Sequence, residues 1–188
     1  MPLQPKQICD PIRAMIADRM ITIRRCETKQ DYASTGDLLG ELSNWDSSET
    51  EKLGFKAQSV LDFYYDAEKG RPSASERHLG LHLLGYVGPD VSGCISYREV
   101  EPTICEMKHL YVRPSARGSG LGRALVSCLL ARARAAGYKQ MRLETVSFMA
   151  AAVHMYESMG FIRRSPYYVI PDIFLPITIF MEKDLDAR

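Results

Sequence analysis

The stretch YVRPSARGSGLGRAL, residues 111–125, sets three glycines at alternate positions between a strand-like run and a helix-like one. Gly118, Gly120 and Gly122 lack a Cβ, so this backbone can bend sharply and come close to a ligand. The helix that follows begins with unpaired amides, and its dipole adds partial positive charge there. With Arg117 and Arg123 as flanking cations, the stretch reads as an anion site suited to a pyrophosphate. Any fold for this chain must feed a strand into that loop and take a helix out of it.

Periodicity supplies the remaining elements. Apolar and polar residues alternate over 20–25, which predicts a first strand, and helical spacing follows over 29–42. The segment NWDSSETE reads as a loop, and 55–68 as a second helix broken by GRPSAS. Residues 78–87 and 91–100 form a hairpin across GPD, and 104–112 adds a third antiparallel strand. Leu121, Leu125, Cys128, Leu129 and Arg132 follow one helical face that Gly137 ends. Residues 139–146 alternate as a strand. Ser147 is then expected to cap a short helix carrying Val153, Tyr156 and Met159, with Gly160 as its stop. Strands at 161–164 and 177–183 flank the loop SPYYVIPDIFLP. The expected class is α+β, a mixed and mainly antiparallel sheet flanked by helices, in the order β-α-α-β-β-β-α-β-α-β-β.

Charge narrows the partners. With 24 basic and 23 acidic residues the net charge is +1, so no general field draws the chain to nucleic acid or to an acidic membrane. A polyanion bound here must be small and held locally. The five cysteines form no CxxC pair and no Cys/His cluster with zinc spacing, and their odd number argues against a closed disulfide set. They read as reduced thiols of a cytoplasmic protein without a metal. The first 25 residues lack the apolar core of a signal peptide, and no run approaches a membrane span. The expected organisation is an N-terminal extension over 1–19 and one domain over 20–188. A homodimer is left open.

Three phosphate ligands compete for the loop. A mononucleotide site needs Lys and then Ser or Thr after the last glycine, and Gly122 is followed by Arg123 and Ala124. A dinucleotide site needs GxGxxG directly after a strand; here the spacing is GxGxG with five residues intervening, although Glu144 stands about twenty residues on. The third reading comes from a resemblance. LYVRPSARGSGLGRALV resembles the acyl-CoA signature of the GNAT superfamily of N-acetyltransferases, and LETVSFMAAAVHMYESMGF resembles that family's later strand and helix.

The resemblance implies an acetyl-CoA-dependent N-acetyltransferase and assigns roles. Leu110, Tyr111 and Val112 would lend their backbone to the pantetheine arm, with the Leu110 amide polarising the acetyl carbonyl. The loop Arg117, Gly118, Ser119, Gly120, Leu121, Gly122 and Arg123 would hold the pyrophosphate. An alkylamine titrates near about 10.4, so the acceptor must lose a proton before it attacks. Glu106 and Glu144 compete as the base, and the alternative for each is an acid at a strand surface or one paired with Lys108 or Arg142. Strand alternation puts Glu106 on one face with Lys108, Leu110 and Val112, and His109 on the other. Tyr156 matches the tyrosine that protonates the leaving sulfur in many members. Met149 departs from the family, standing where many relatives have an asparagine on the pantetheine side.

The acceptor is expected to be a small-molecule amine. Trp45, Phe55, Tyr167, Tyr168 and Phe174 are candidates for an apolar wall, and Asp46, Glu49 and Asp172 for drawing in the amine. A module that binds acyl-CoA without transferring the acyl group is the alternative.

Overall fold

Thr28 starts the first helix for a local reason. Its hydroxyl accepts from the Asp31 amide at 3.1 Å while the Asp31 carboxylate accepts from the Thr28 amide at 3.0 Å, a reciprocal capping box. In the structure, a computed structural model that describes residues 12–16, 19–56 and 80–186, this helix, α1, spans Lys29–Lys52. It runs through NWDSSETE, which the sequence marked as a loop. Leu38, Leu42, Asp46 and Thr50 recur every four residues and keep one face buried, and the Thr50 hydroxyl donates to the Asp46 carbonyl at 2.7 Å. Tertiary burial thus overrides a run of turn-forming residues. Gly54, at φ +86°, then turns the chain out of the helix. Of the second expected helix, Phe55 and Lys56 are not helical, and 57–68 lies outside the described residues.

Among the described residues eight strands form one sheet: β1 Ile12–Ile16, β2 Arg19–Arg25, β3 Gly80–Val87, β4 Asp90–Glu101, β5 Ile104–Val112, β6 Gln140–Val146, β7 Ile162–Arg164 and β8 Thr178–Asp184. Their spatial order is β1-β2-β3-β4-β5-β6-β8-β7, and β5 with β6 is the parallel pair in an otherwise antiparallel set. The mixed α+β class and the mainly antiparallel sheet expected from the sequence are observed. One strand more than expected is present: β1 lies inside the segment read as an extension and pairs with β2, Ile12 against Ile23.

Helix α2, Leu121–Ala135, covers one face of the sheet. Leu121, Leu125 and Leu129 pack with Ile21, Leu83, Ile95, Met107 and Met141, all nearly inaccessible. Close approach needs a missing side chain, since a Cβ on Gly85 would sit 2.7 Å from Leu121 Cδ1. α1 covers the opposite face, where Leu38 and Leu42 meet Cys26, Leu84, Cys94 and Tyr111. The third helix, α3, spans Ala150–Ser158, and its cap differs from expectation. Met149 is the N-cap and makes no side-chain capping bond, while the Ser147 amide donates to the Ile177 carbonyl at 2.8 Å. Ser147 is used to tie the end of β6 to the start of β8, which leaves it outside the helix.

Candidate active site

The sheet opens where the parallel pairing of β5 with β6 ends. β5 and β6 pair only from Ile104 and Gln140 to Met107 and Leu143, although both strands continue. Beyond that point β5 stays with β4 as far as Val112, and β6 stays with β8 as far as Val146. The two halves of the sheet separate, and among the described residues no strand lies beside the β5 edge from Lys108 to Val112 on the β6 side.

A bulge marks the parting. Ser96 pairs with Lys108 and Cys94 with Tyr111, so β5 spends three steps where β4 spends two. The irregular residue is His109, at φ +61°, a region costly for any side chain but glycine. Two β4 side chains brace it. Ser96 Oγ donates to the Lys108 carbonyl at 3.2 Å and lies 3.2 Å from His109 Nδ1, and Cys94 Sγ donates to the His109 carbonyl at 3.4 Å. Burial, with Lys108 and His82 nearby, holds the imidazole neutral by pushing its pKa down to about 4.

The bulge corrects the expected alternation. Before it, Cys105 and Met107 face α2; after it, Leu110 and Val112 do, while Tyr111 turns to the α1 side. Glu106 and Lys108 therefore share a face with each other but not with Leu110 and Val112. His109, bonded to Ser96, sits on the Glu106 side and not opposite it.

Glu106 is fully buried and fully engaged. Its Oε2 accepts from Arg98 Nε at 2.8 Å, and its Oε1 accepts from the Tyr167 hydroxyl at 2.6 Å and faces Lys108 Nζ at 3.5 Å. Burial alone would raise its pKa. Lys108, the Tyr167 hydroxyl and Arg98 outweigh that and hold the carboxyl below the ordinary glutamate range. Glu144 projects from β6 toward the same lysine, and its Oε1 accepts from Lys108 Nζ at 2.5 Å. Its other oxygen, Oε2, is buried and has no hydrogen-bond partner among the described residues. Lys108 thus bridges the two candidate bases. Tyr167 is itself fixed, with the Arg142 and Arg164 guanidinium carbons 5.4 and 5.2 Å from its ring centroid.

The glycine loop meets the same opening. A 3₁₀ turn over Pro114–Ala116 leads to Gly118 at φ +76° and to Gly120 at φ +86°, the N-cap of α2. Ser119 is buried and serves the loop, donating to the Ala116 carbonyl at 2.7 Å and accepting from the Leu121 amide at 3.3 Å. The amides of Gly118, Gly120, Gly122 and Arg123 have no acceptor among the described residues. The two arginines are engaged elsewhere: Arg117 Nε donates to the Val112 carbonyl and its guanidinium lies 5.7 Å from the Trp45 ring, while Arg123 donates to Ser158 Oγ at 2.6 Å. Gly122 faces the gap. A Cβ there would sit 3.7 Å from Val112 Cγ2 and 3.8 Å from Met155 Sδ.

Tyr156 is buried on α3, edge-on to Phe161 with 5.8 Å between centroids, and no described residue hydrogen-bonds its hydroxyl. Burial pushes its phenol well above the ordinary value. Met149, the family departure, receives the Thr145 hydroxyl on its sulfur at 3.7 Å.

The aromatic residues expected to wall the acceptor divide into three groups. Trp45 meets Phe148, Phe55 stacks on Phe174, and Tyr167 and Tyr168 meet Phe180. Asp46 is buried on α1, Glu49 pairs with Lys52, and Asp172 starts an exposed turn. A separate cleft of about 570 Å³ is lined by Ser34, Asp37, Asp90, Arg113 and Ser115, and by neither carboxylate nor Tyr156. The sequence reading missed Arg98 and the hydroxyl of Tyr167 as partners of Glu106. Nothing local announces a contact between residues 61 positions apart. Among the described residues no helix is long and apolar enough to cross a membrane, and no group of His, Cys, Asp and Glu has the makings of a metal site.

The chain is similar to known proteins. An uncharacterized N-acetyltransferase of Schizosaccharomyces pombe is 37% identical over 94 residues, 50% of this chain and 56% of that protein. The IAA acetyltransferase of Azospirillum brasilense is 40% identical over 81 residues, 43% of this chain and 51% of that enzyme. The match spans about half the length of these relatives. The Salmonella typhimurium protein yncA, solved with its cofactor acetyl-CoA, superposes with a TM-score of 0.55 at 21% identity, covering 89% of this chain and 95% of that one. The model of the acetyltransferase (GNAT) family matches residues 40–161, a span that holds the loop, the bulge, both carboxylates and Tyr156, and the chain belongs to that family.

Proposed function

We propose that the protein is an acetyl-CoA-dependent N-acetyltransferase that moves the acetyl group onto a primary amine, by direct transfer in a ternary complex. The observation that carries this reading is the set of four unpartnered amides, Gly118, Gly120, Gly122 and Arg123, at the mouth of the gap beside β5. Free amides at a helix start suit a pyrophosphate, and the open β6-side edge of Leu110, Tyr111 and Val112, paired to β4 on its other side, suits an amide-bearing arm. Arg117, Ser119, Leu121 and Arg123 complete the loop, with Ser119 shaping it from within. When bound, acetyl-CoA supplies an activated thioester.

The chain's own residues would do the rest. The Leu110 amide, just past the bulge, is the donor for the carbonyl oxygen. A carboxylate of the Glu106 and Glu144 pair takes the amine's proton, and Tyr156, kept protonated by burial, supplies one to the departing thiolate. The acceptor is a small-molecule amine, and the buried reduced thiols Cys26, Cys94, Cys105 and Cys128 suit a cytoplasmic setting.

The test is release of free CoA thiol from acetyl-CoA with spermidine, 2-phenylethylamine, amino acids and an alanine-initiated tetrapeptide, against a no-acceptor control. Acceptor-dependent release is expected, with Tyr156→Phe slowing turnover about 10²- to 10⁴-fold while acetyl-CoA still binds. Binding of acetyl-CoA without release for any acceptor would leave only the binding-module reading.

A further inference from the structure

Resting on the N-acetyltransferase reading, we propose that Glu106, clamped by Arg98 and the Tyr167 hydroxyl, is a positioning residue that holds Lys108 toward Glu144, and that Glu144 Oε2 takes the acceptor's proton. The argument begins from how each carboxylate oxygen is used. Glu106 has no exposed surface and three donors around its two oxygens, Arg98 Nε at 2.8 Å, the Tyr167 hydroxyl at 2.6 Å and Lys108 Nζ at 3.5 Å. A carboxylate so stabilised is a weak base, and it offers an amine no approach. Glu144 has one oxygen on Lys108 and one without a donor among the described residues. A buried oxygen without a donor is costly, and Glu144 stands one residue past the last β5–β6 pair, at Leu143, where the two strands part, so an ammonium bound in that gap would satisfy it.

Charge explains why Lys108 lies closer to Glu144, at 2.5 Å, than to Glu106, at 3.5 Å. Arg98 and Tyr167 already compensate Glu106, which leaves the lysine to its neighbour on β6. Tyr167 comes from the segment between β7 and β8, so that segment sets the charge environment of the base as well as the shape of the site. In the proton step the amine's N–H bond breaks with its electron pair staying on nitrogen. The proton becomes the O–H of Glu144, and the neutral acid returns it to solvent after the product leaves.

Two variants move the Glu106 carboxyl in opposite directions, which general loosening of the fold would not do. The groups facing Glu106 are Lys108 of β5, Arg98 of β4, Tyr167, the neutral His109, and through Lys108 also Glu144. In Tyr167→Phe, Glu106 loses one of the donors that hold it below the ordinary glutamate range, so its midpoint rises. In Glu144→Gln the anion that competes for Lys108 is gone, the lysine is left to Glu106, and its midpoint falls. A ¹³C-carboxyl titration of labelled glutamates in the full chain reads both, with shifts expected in opposite senses. No movement, or movement in the same sense, overturns the positioning role.

Turnover tests the base with the acceptor that gives most CoA release. Glu144→Gln is expected to lose about 10²- to 10⁴-fold in kcat with the KM for acetyl-CoA unchanged, and Glu106→Gln about tenfold or less. The reverse order overturns the assignment of Glu144. If no acceptor is turned over by the unaltered protein, the transferase reading fails, and the titration still decides whether Tyr167 holds Glu106 and whether Glu106 and Glu144 share Lys108.

Discussion

Replacing Gly122 by alanine separates what the fold needs from what the ligand needs. The position is the second of α2, and an added Cβ would meet Val112 Cγ2 at 3.7 Å and Met155 Sδ at 3.8 Å, ordinary contact distances. Unlike Gly118 and Gly120, it shows no positive φ. Alanine is favoured over glycine in a helix by up to about 1 kcal/mol, less in the first turn, so the unliganded protein should gain roughly 0.5 kcal/mol. For a chain of this size that is about 1–2 °C in Tm. The same methyl enters the gap between β5 and α3 and crowds one of the four free amides. Loss of one hydrogen bond to a charged group costs about 1.5–3 kcal/mol, so acetyl-CoA should bind roughly 10- to 100-fold more weakly. Thermal melts with and without acetyl-CoA, plus calorimetric titration, read both quantities. Gly93→Ala is the control of opposite sign. Its Cβ would lie 2.6 Å from the Tyr111 carbonyl oxygen, a backbone atom that cannot swing away, so about 1–3 kcal/mol of stability should be lost without ligand. If Gly122→Ala melts lower than the parent, or binds acetyl-CoA equally well, the reading of the loop as a phosphate cradle is refuted.

Further outcomes follow from the same structure. Asp31 is buried, and although burial opposes its ionisation, the Arg24 guanidinium and the Glu27 and Thr28 amides hold its pKa well below the ordinary range. A depressed folded value means the stabilisation is complete above about pH 4 and is lost as pH falls through the folded pKa, so Asp31→Asn should cost about 1–3 kcal/mol in urea at pH 7 and progressively less in acid. Ser96→Ala removes the brace of the bulge, and should lose about 1 kcal/mol of stability while raising the KM for acetyl-CoA more than it lowers kcat. Leu125→Ala, at a site with no exposed surface beneath α2, should cost about 2–5 kcal/mol by urea denaturation and leave acetyl-CoA affinity unchanged at temperatures well below its midpoint.

Local patterns in this chain determined much of what was read from it. Alternation placed β5 at its observed bounds, and the YESMGF and RGSGLGR segments marked α3 and the loop, because side-chain period and glycine conformation depend only on near neighbours. The two carboxylates were also legible as residues. What they do to one another was not. NWDSSETE became helix because its Asp46 and Thr50 are buried on α1, and Ser147 left its expected cap to bind the Ile177 carbonyl. The bulge at His109 carries no glycine to announce it, and it reversed the facing of every residue after Lys108, which no count along one strand can foresee. Tyr167 reaches Glu106, and Lys108 reaches Glu144 across 36 positions, only because the sheet order puts β8 beside β6 and β6 beside β5. The sequence alone determined which groups are present. Tertiary structure decided which carboxylate oxygen is left without a donor, because burial and long-range partners exist only once distant strands are side by side.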